Sequence, residues 1–200
     1  MATVISAKDV AALRTRTGAG MMDCKNALTE TGGDVEKAIE LLRKKGMARA
    51  DKRAGRGATE GLIGSYVHFN GKVGVLVEVN CETDFVARTG DFQQLGRDLA
   101  LHIASADPLA VRIEDLPAHV VAREKEIFRA QASESGKPEK IWDRMVEGKL
   151  KKFYEERVLL EQPFVKDDKQ TVGEVIKAVS GKVGENIVVR RFTRYALGEA

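Results

Sequence analysis

Residues Lys72 to Val79 put Val73, Val75, Val77 and Val79 on one side of an extended chain and Gly74, Leu76 and Glu78 on the other. That period-2 alternation is the mark of a strand with one buried face. Asn70-Gly71 just before it suits a tight hairpin turn whose central residues both take positive φ, so Leu62 to Phe69 reads as the partner strand. After the strand, Thr89-Gly90-Asp91 opens a helix behind an Asp91 cap, with Phe92, Leu95, Leu99 and Ile103 at helical spacing. Between these two elements lies the polar excursion Asn80-Cys81-Glu82-Thr83-Asp84-Phe85-Val86. Phe85 on it has two readings: an aromatic packed into its own core, or a side chain presented to a partner from a connection.

Three short helices with glycine joints precede the hairpin. Ser6 caps the first, with Asp9 three residues on and Val10 and Leu13 facing inward; Gly18-Ala19-Gly20 stops it. The second runs from Met21 to Thr31 with Cys24, Ala27 and Leu28 as its apolar face. Asp34 caps the third, whose Val35, Ala38, Ile39 and Leu42 share a face while Arg43, Lys44 and Lys45 occupy the last turn, where the helix dipole favours cations. Residues 1–46 thus form one module. The pair Met21-Met22 is either core or an adaptable apolar contact. Residues 47–60 are rich in Ala, Gly and basic residues and read as a partly helical linker, or as an arm touching RNA.

Residues 61–200 form the larger unit. A helix starts near Pro117 with Val121, Ile127 and Phe128 inward, and Pro138 opens another with Ile141, Met145, Val146, Leu150 and Phe153 as its apolar side. Gln162-Pro163-Phe164 breaks that helix. Thr171-Val172-Gly173-Glu174 is a capping box, and Asn186 to Leu197 is a β-rich stretch able to add a third strand to the hairpin. The fold class is α+β: a helical module, a linker, and a small antiparallel sheet packed with helices.

Lys+Arg 33 against Asp+Glu 30 gives a net charge of +3 with both signs interspersed, a field too weak to argue for nucleic acid. The start Met1-Ala2-Thr3-Val4-Ile5-Ser6 lacks a signal peptide's basic and apolar regions, and no apolar run reaches membrane-spanning length, so a cytoplasmic protein is expected. Cys24 and Cys81 lack paired metal spacing. No phosphate loop or dinucleotide loop occurs, so no direct nucleotide binding is expected. His68, His102 and His119 are scattered, with no nucleophile and base placed together. Glu78, Glu82 and Asp84 are the carboxylates that would gather round a metal ion if one bound; neither metal nor cofactor is expected.

Longer motifs carry a resemblance. Arg16-Thr17-Gly18-Ala19-Gly20-Met21-Met22-Asp23-Cys24-Lys25, the Asn80 to Val86 stretch and Gly184-Glu185-Asn186-Ile187 resemble the elongation factor Ts family, as do Met145-Val146-Glu147-Gly148 and Gln162-Pro163-Phe164-Val165. The likeness is to the short bacterial form, with one copy of the sheet-bearing core where longer members carry two. It implies a translation factor that is not an enzyme but a guanine nucleotide exchange factor for elongation factor Tu. It implies that residues 1–46 are a ubiquitin-associated-like module touching the GTPase through Leu13, Met21 and Met22. It further implies that Thr83, Asp84, Phe85 and Val86 meet the nucleotide end of elongation factor Tu, with Phe85 inserted between two helices.

In the long form one copy of the core carries a Thr-Asp-Phe-Val motif and the other a Tyr-x-His motif; here Tyr66-Val67-His68 and Thr83-Asp84-Phe85-Val86 share one copy. The resemblance therefore implies a homodimer in which one GTPase meets Phe85 of one subunit and His68 of the other, with Asn186 to Leu197 in the interface. Two other classes stay open: an RNA-associated protein, from Arg190, Arg191 and Arg194, and a metal-dependent enzyme using Glu82 and Asp84.

Overall fold

The computed structural model describes residues 5–199. Met1 to Val4, most of the segment read for a leader, and Ala200 lie outside the described residues. The N-terminal module consists of α1 (Ala7–Thr17), α2 (Met21–Glu30) and α3 (Val35–Asp51). Ser6 and Asp9 form a reciprocal capping box on α1, and Asp34 caps α3 by accepting from the Lys37 amide. Val10, Leu13, Cys24, Ala27, Leu28, Ala38 and Leu42 close a small core of their own. Helix α3 runs five residues past the expected boundary at residue 46. Ala48, Arg49 and Ala50 are strong helix formers, and Ala50 is buried, so burial and propensity agree in carrying the helix on.

Strands β1 (Glu60–Val67) and β2 (Val73–Cys81) form the hairpin, followed by a single turn α4 (Asp84–Ala87) and the long α5 (Gly90–Ala106). The hairpin turn differs from the expected two-residue form. The Gly71 amide bonds the His68 carbonyl and the His68 amide bonds the Val73 carbonyl, so the loop is four residues long, and Gly71 (φ 69°) but not Asn70 takes positive φ. Thr89, rather than Asp91, caps α5: its hydroxyl accepts from the Phe92 amide, while Asp91 sits in the first turn. Phe92, Leu95, Leu99 and Ile103 are all buried against Val75, Val77 and Val79.

Helices α6 (Ala118–Glu134) and α7 (Trp142–Arg157) pack on one another as a long hairpin. Of the side chains expected to point inward, Val121 and Phe128 are half-buried but Ile127 is exposed, because α6 packs chiefly on α7 and most of its residues face solvent. A short ribbon, β3 (Pro163–Phe164) and β4 (Asp167–Thr171), was not anticipated from the sequence. It leads into α8 (Val172–Val183), whose capping box between Thr171 and Glu174 forms as expected. The last strand, β5 (Val188–Ala196), pairs antiparallel with β2, giving the order β1-β2-β5. A bulge between Glu78 and Val79 brings Arg190 and Arg191 onto the same Glu78 carboxylate.

His102, on the face of α5 toward β3, is buried and stacks on Phe164. Its Nδ1 accepts from the Val165 amide at 3.2 Å, so Nε2 carries the proton to Gln162 Oε1 at 3.0 Å. Burial pushes its pKa down, consistent with a neutral ring whose two nitrogens are both used.

Helix α8 covers the sheet edge on one side and receives the module on the other. Val172 and Ile176 are in the main core, whereas Arg43 pairs with Glu174 and Lys177 with Asp51 across to α3. The helices touch at backbone level: a Cβ on Gly181 would lie 2.9 Å from the Gly46 carbonyl oxygen, whereas one on Gly46 would meet nothing. The two glycines should therefore respond oppositely. Gly46→Ala is expected to stabilise by up to about 1 kcal/mol through helix propensity, and Gly181→Val to destabilise by about 1–3 kcal/mol by forcing the helices apart. Urea unfolding of both variants checks this, and equal responses would place the helix crossing elsewhere.

Candidate functional site

Cys81 ends β2 in the core, and the backbone then turns outward. Thr83 has extended φ and ψ and caps α4, its Oγ1 accepting from the Val86 amide at 3.4 Å. Successive side chains on a helix point about 100° apart, so fixing one aims its neighbour. Val86 is buried in the main core, and Phe85 is consequently turned to solvent with 79 % of its surface exposed. Of the two readings of Phe85, core packing is excluded. Asp84 pairs with Arg88 at 2.8 Å one turn on, and both are exposed to solvent to a large extent. Below them the Cys81 thiol donates to the Thr83 carbonyl at 3.1 Å. Burial, with the Glu185 carboxylate adding to it, pushes this thiol up to about 11, so it stays protonated and keeps its donor role.

The module presents a second apolar element. Met22 is 65 % exposed and Met21 43 %, both in the first turn of α2, while Cys24, Ala27 and Leu28 on the same helix are buried. The core reading of the pair therefore fails for Met22. Leu13 needs correction as a contact residue: at 1 % exposure it lies in the module core, packed among Val10, Cys24, Ala27 and Leu28 rather than at the surface. Arg49 fixes that turn with two bonds to Asp23, 2.7 and 2.8 Å, and these bonds hold the Asp23 carboxyl below the usual carboxylate range. Local pattern placed Arg49 only in the basic linker or RNA-touching arm, since its pairing with Asp23 spans 26 residues and has no local signature.

His68 stands at the other end of the sheet. Its Nδ1 is 2.9 Å from the Tyr66 hydroxyl and its ring lies 4.4 Å from that of the exposed Phe69. Strand β2, nine residues long, separates the His68 turn from the Phe85 turn, which at about 3.3 Å per residue is roughly 30 Å. Within one chain the two are not brought together.

The remaining candidates are dispersed. Glu78 is held by Arg190 and Arg191, Glu82 by Arg56 and Asp84 by Arg88, so no three carboxylates converge, and no metal-binding group of three or more such residues occurs among the described residues. Arg194 pairs with Asp107 and Glu199, so the arginines of β5 are each matched to an acid rather than forming a free basic stripe. No helix among the described residues is long and apolar enough to cross a membrane.

A family profile described as Elongation factor TS matches residues 4–199. This chain belongs to the elongation factor Ts family. It is similar to elongation factor Ts of Moorella thermoacetica, 59 % identical over 98 % of this chain and 97 % of that one. It is likewise similar to those of Geobacter metallireducens, 60 % identical over 98 % and 90 %, and Thermosipho melanesiensis, 56 % identical over 98 % and 100 %. The near-complete coverage of both chains agrees with the short form, and within it the Phe85 turn and the Met21-Met22 turn are apolar groups held outward by buried neighbours.

Exposure makes a direct prediction for this elongation factor Ts family member. Phe85→Ala should leave the thermal midpoint and the urea midpoint unchanged, whereas Leu13→Ala should cost about 2–5 kcal/mol. A large loss of stability in the Phe85 variant would mean that the ring packs inside.

Proposed function

We propose that the chain promotes GDP release from elongation factor Tu, with Phe85 acting as an apolar wedge near the nucleotide and magnesium site of that GTPase. The observation that carries this reading is Phe85 itself: a large aromatic exposed on a one-turn helix that Thr83 and Val86 hold in a single orientation. Exposing such a ring is unfavourable to a chain on its own and is accounted for by a partner that buries it. Thr83 and Val86 set the turn, Asp84 supplies a charged contact beside the wedge, and Met21 and Met22 form a second, adaptable contact.

A GTPase holds GDP through its phosphate loop and Mg²⁺, so displacing the supports of those groups releases the nucleotide without any acid, base or nucleophile. The factor on this reading is a ligand for the nucleotide-free state, not an enzyme. By linkage, GDP weakens the factor's binding by the same ratio that the factor weakens GDP's.

A homodimer is part of the proposal. The face of the sheet away from α5 carries Ile63, Val67, Leu76 and Tyr195, with Phe69 and Leu197 at its hairpin end, all exposed. A three-stranded sheet covered on one side only is suited to packing against a second copy, and β5 with Tyr195 and Leu197 contributes one edge of that surface. Pairing would set His68 of one subunit and Phe85 of the other on one composite surface, which a single chain does not offer across roughly 30 Å. The proposal assigns the factor to the cytoplasm, where its GTPase works.

Release of labelled GDP from elongation factor Tu tests the reading: the chain should accelerate it, Phe85→Ala should lose most of the acceleration, and unchanged release at saturating protein would defeat the proposal. For the dimer, Leu76→Glu should convert a two-chain species to one chain in sedimentation velocity. Mixed Phe85→Ala and His68→Ala chains should recover part of the exchange activity that each lacks alone, and no recovery after verified mixing would argue for independent chains.

A further inference from the structure

The turn between α8 and β5 reaches back to the base of the Phe85 turn, and the two are bound reciprocally. Glu185 Oε2 accepts from the Glu82 and Thr83 amides, each at 3.0 Å, and Glu185 Oε1 accepts from the Thr83 hydroxyl at 2.6 Å. In return Glu82 Oε1 accepts from the Asn186 amide at 2.7 Å. Both partners are fixed from behind. Ser180 Oγ bonds the Glu185 carbonyl at 2.5 Å, and Asn186 Nδ2 bonds the Arg56 carbonyl at 2.7 Å.

A relay of bonds runs from this carboxylate to the aromatic ring. Because the Thr83 hydroxyl proton goes to Glu185, an oxygen lone pair is left for the Val86 amide, which is the bond that caps α4. A four-residue helix has no cooperative length to hold it, so its order rests on its cap and on the single buried side chain of Val86. The carboxylate also takes up the backbone amides of Glu82 and of the cap residue Thr83 itself, which leaves residues 82 and 83 one backbone conformation.

We infer that Glu185 is the positioning residue of the Phe85 wedge: its carboxylate sets the Thr83 rotamer and thereby orders the turn that presents the ring before any partner arrives. This deepens the exchange reading and rests on it. Ordering the wedge in advance spares the complex the entropy of fixing it during binding, so Glu185 acts on exchange without touching the GTPase. The residue lies about one hundred positions from Phe85 in the chain, and no part of the resemblance assigned it a role.

Two measurements separate the inference from the reading beneath it. Hydrogen exchange of the Thr83 and Val86 amides needs no partner: Glu185→Ala should strip their protection while leaving that of Val77 and Leu99 in place. In the GDP-release assay Glu185→Ala should slow exchange at least about tenfold, the usual scale for a supporting residue behind a functional group. Glu185→Gln should retain most of the rate, since an amide oxygen still accepts from both backbone amides and the threonine oxygen accepts from the side-chain NH₂. In a Phe85→Ala background the Glu185→Ala change should add nothing further. Intact amide protection in Glu185→Ala would overturn the inference, as would lost protection with undiminished exchange, or full additivity with Phe85→Ala. If the unsubstituted chain releases no GDP at all, the exchange reading fails, and that result is distinct from any change in amide protection.

Discussion

A three-stranded sheet has two faces, and this chain covers one. The valines of β2 are sealed by α5 and by the edge of α8, and that burial, amounting to Val75, Val77 and Val79 against Phe92, Leu95, Leu99 and Ile103, is the contact on which every other placement depends. It fixes which way the sheet faces. It also fixes the two ends of β2 as the launching points for the Tyr66-Val67-His68 segment at one end and the Phe85 turn at the other. The uncovered face, with Leu76 at its centre, follows from the same arithmetic of strands and helices.

Helix α8 turns this sheet into a platform for the module. It is apolar enough to enter the main core through Val172 and Ile176, yet at Gly181 it has no side chain where α3 crosses, so two helix backbones approach more closely than an alanine would allow. Around that crossing the ion pairs Arg43–Glu174 and Lys177–Asp51 are partly solvent-exposed and contribute little to stability individually. Their arrangement instead selects one orientation of the module, because each acid and base is matched only in that pose. The module and the sheet are therefore less independent than a linker between them would make them.

Elements with a local cause were legible in the sequence. The valine alternation, the capping boxes at Ser6 and Thr171, the helical spacing of Phe92 to Ile103 and the third strand all rest on residues within one turn or one strand of each other. What was not legible depends on partners far off in the chain. The end of α3 is decided by burial of Ala50 rather than by the glycine at 46, and Ile127 is exposed because α6 packs chiefly on α7. The hairpin turn took four residues where Asn70-Gly71 suggested two, since the Gly71 amide closes on His68. At the candidate site the outward aim of Phe85 was undetermined until Val86 was seen to be buried, and the apparent equivalence of Leu13 with the methionines dissolved once its burial was known.

The Phe85 turn sets an exposed apolar ring on a support of paired polar groups. Its polar groups, the Cys81 thiol, the Thr83 hydroxyl and the carboxylates of Glu82 and Glu185, are all committed to one another or to backbone amides. None is left unpaired, and burial holds the Cys81 thiol up at about 11, in its unreactive protonated form. The network's output is mechanical: an apolar ring held in the open by groups that are themselves satisfied. On the proposed reading that division is required. A wedge that frays would spend part of its binding energy on its own ordering, and the energy available to distort the GTPase would fall by the same amount, because a ligand shifts an equilibrium only by its differential affinity for the two states. On that reading, rigid support behind the exposed aromatic is the feature that would let binding alone drive nucleotide release.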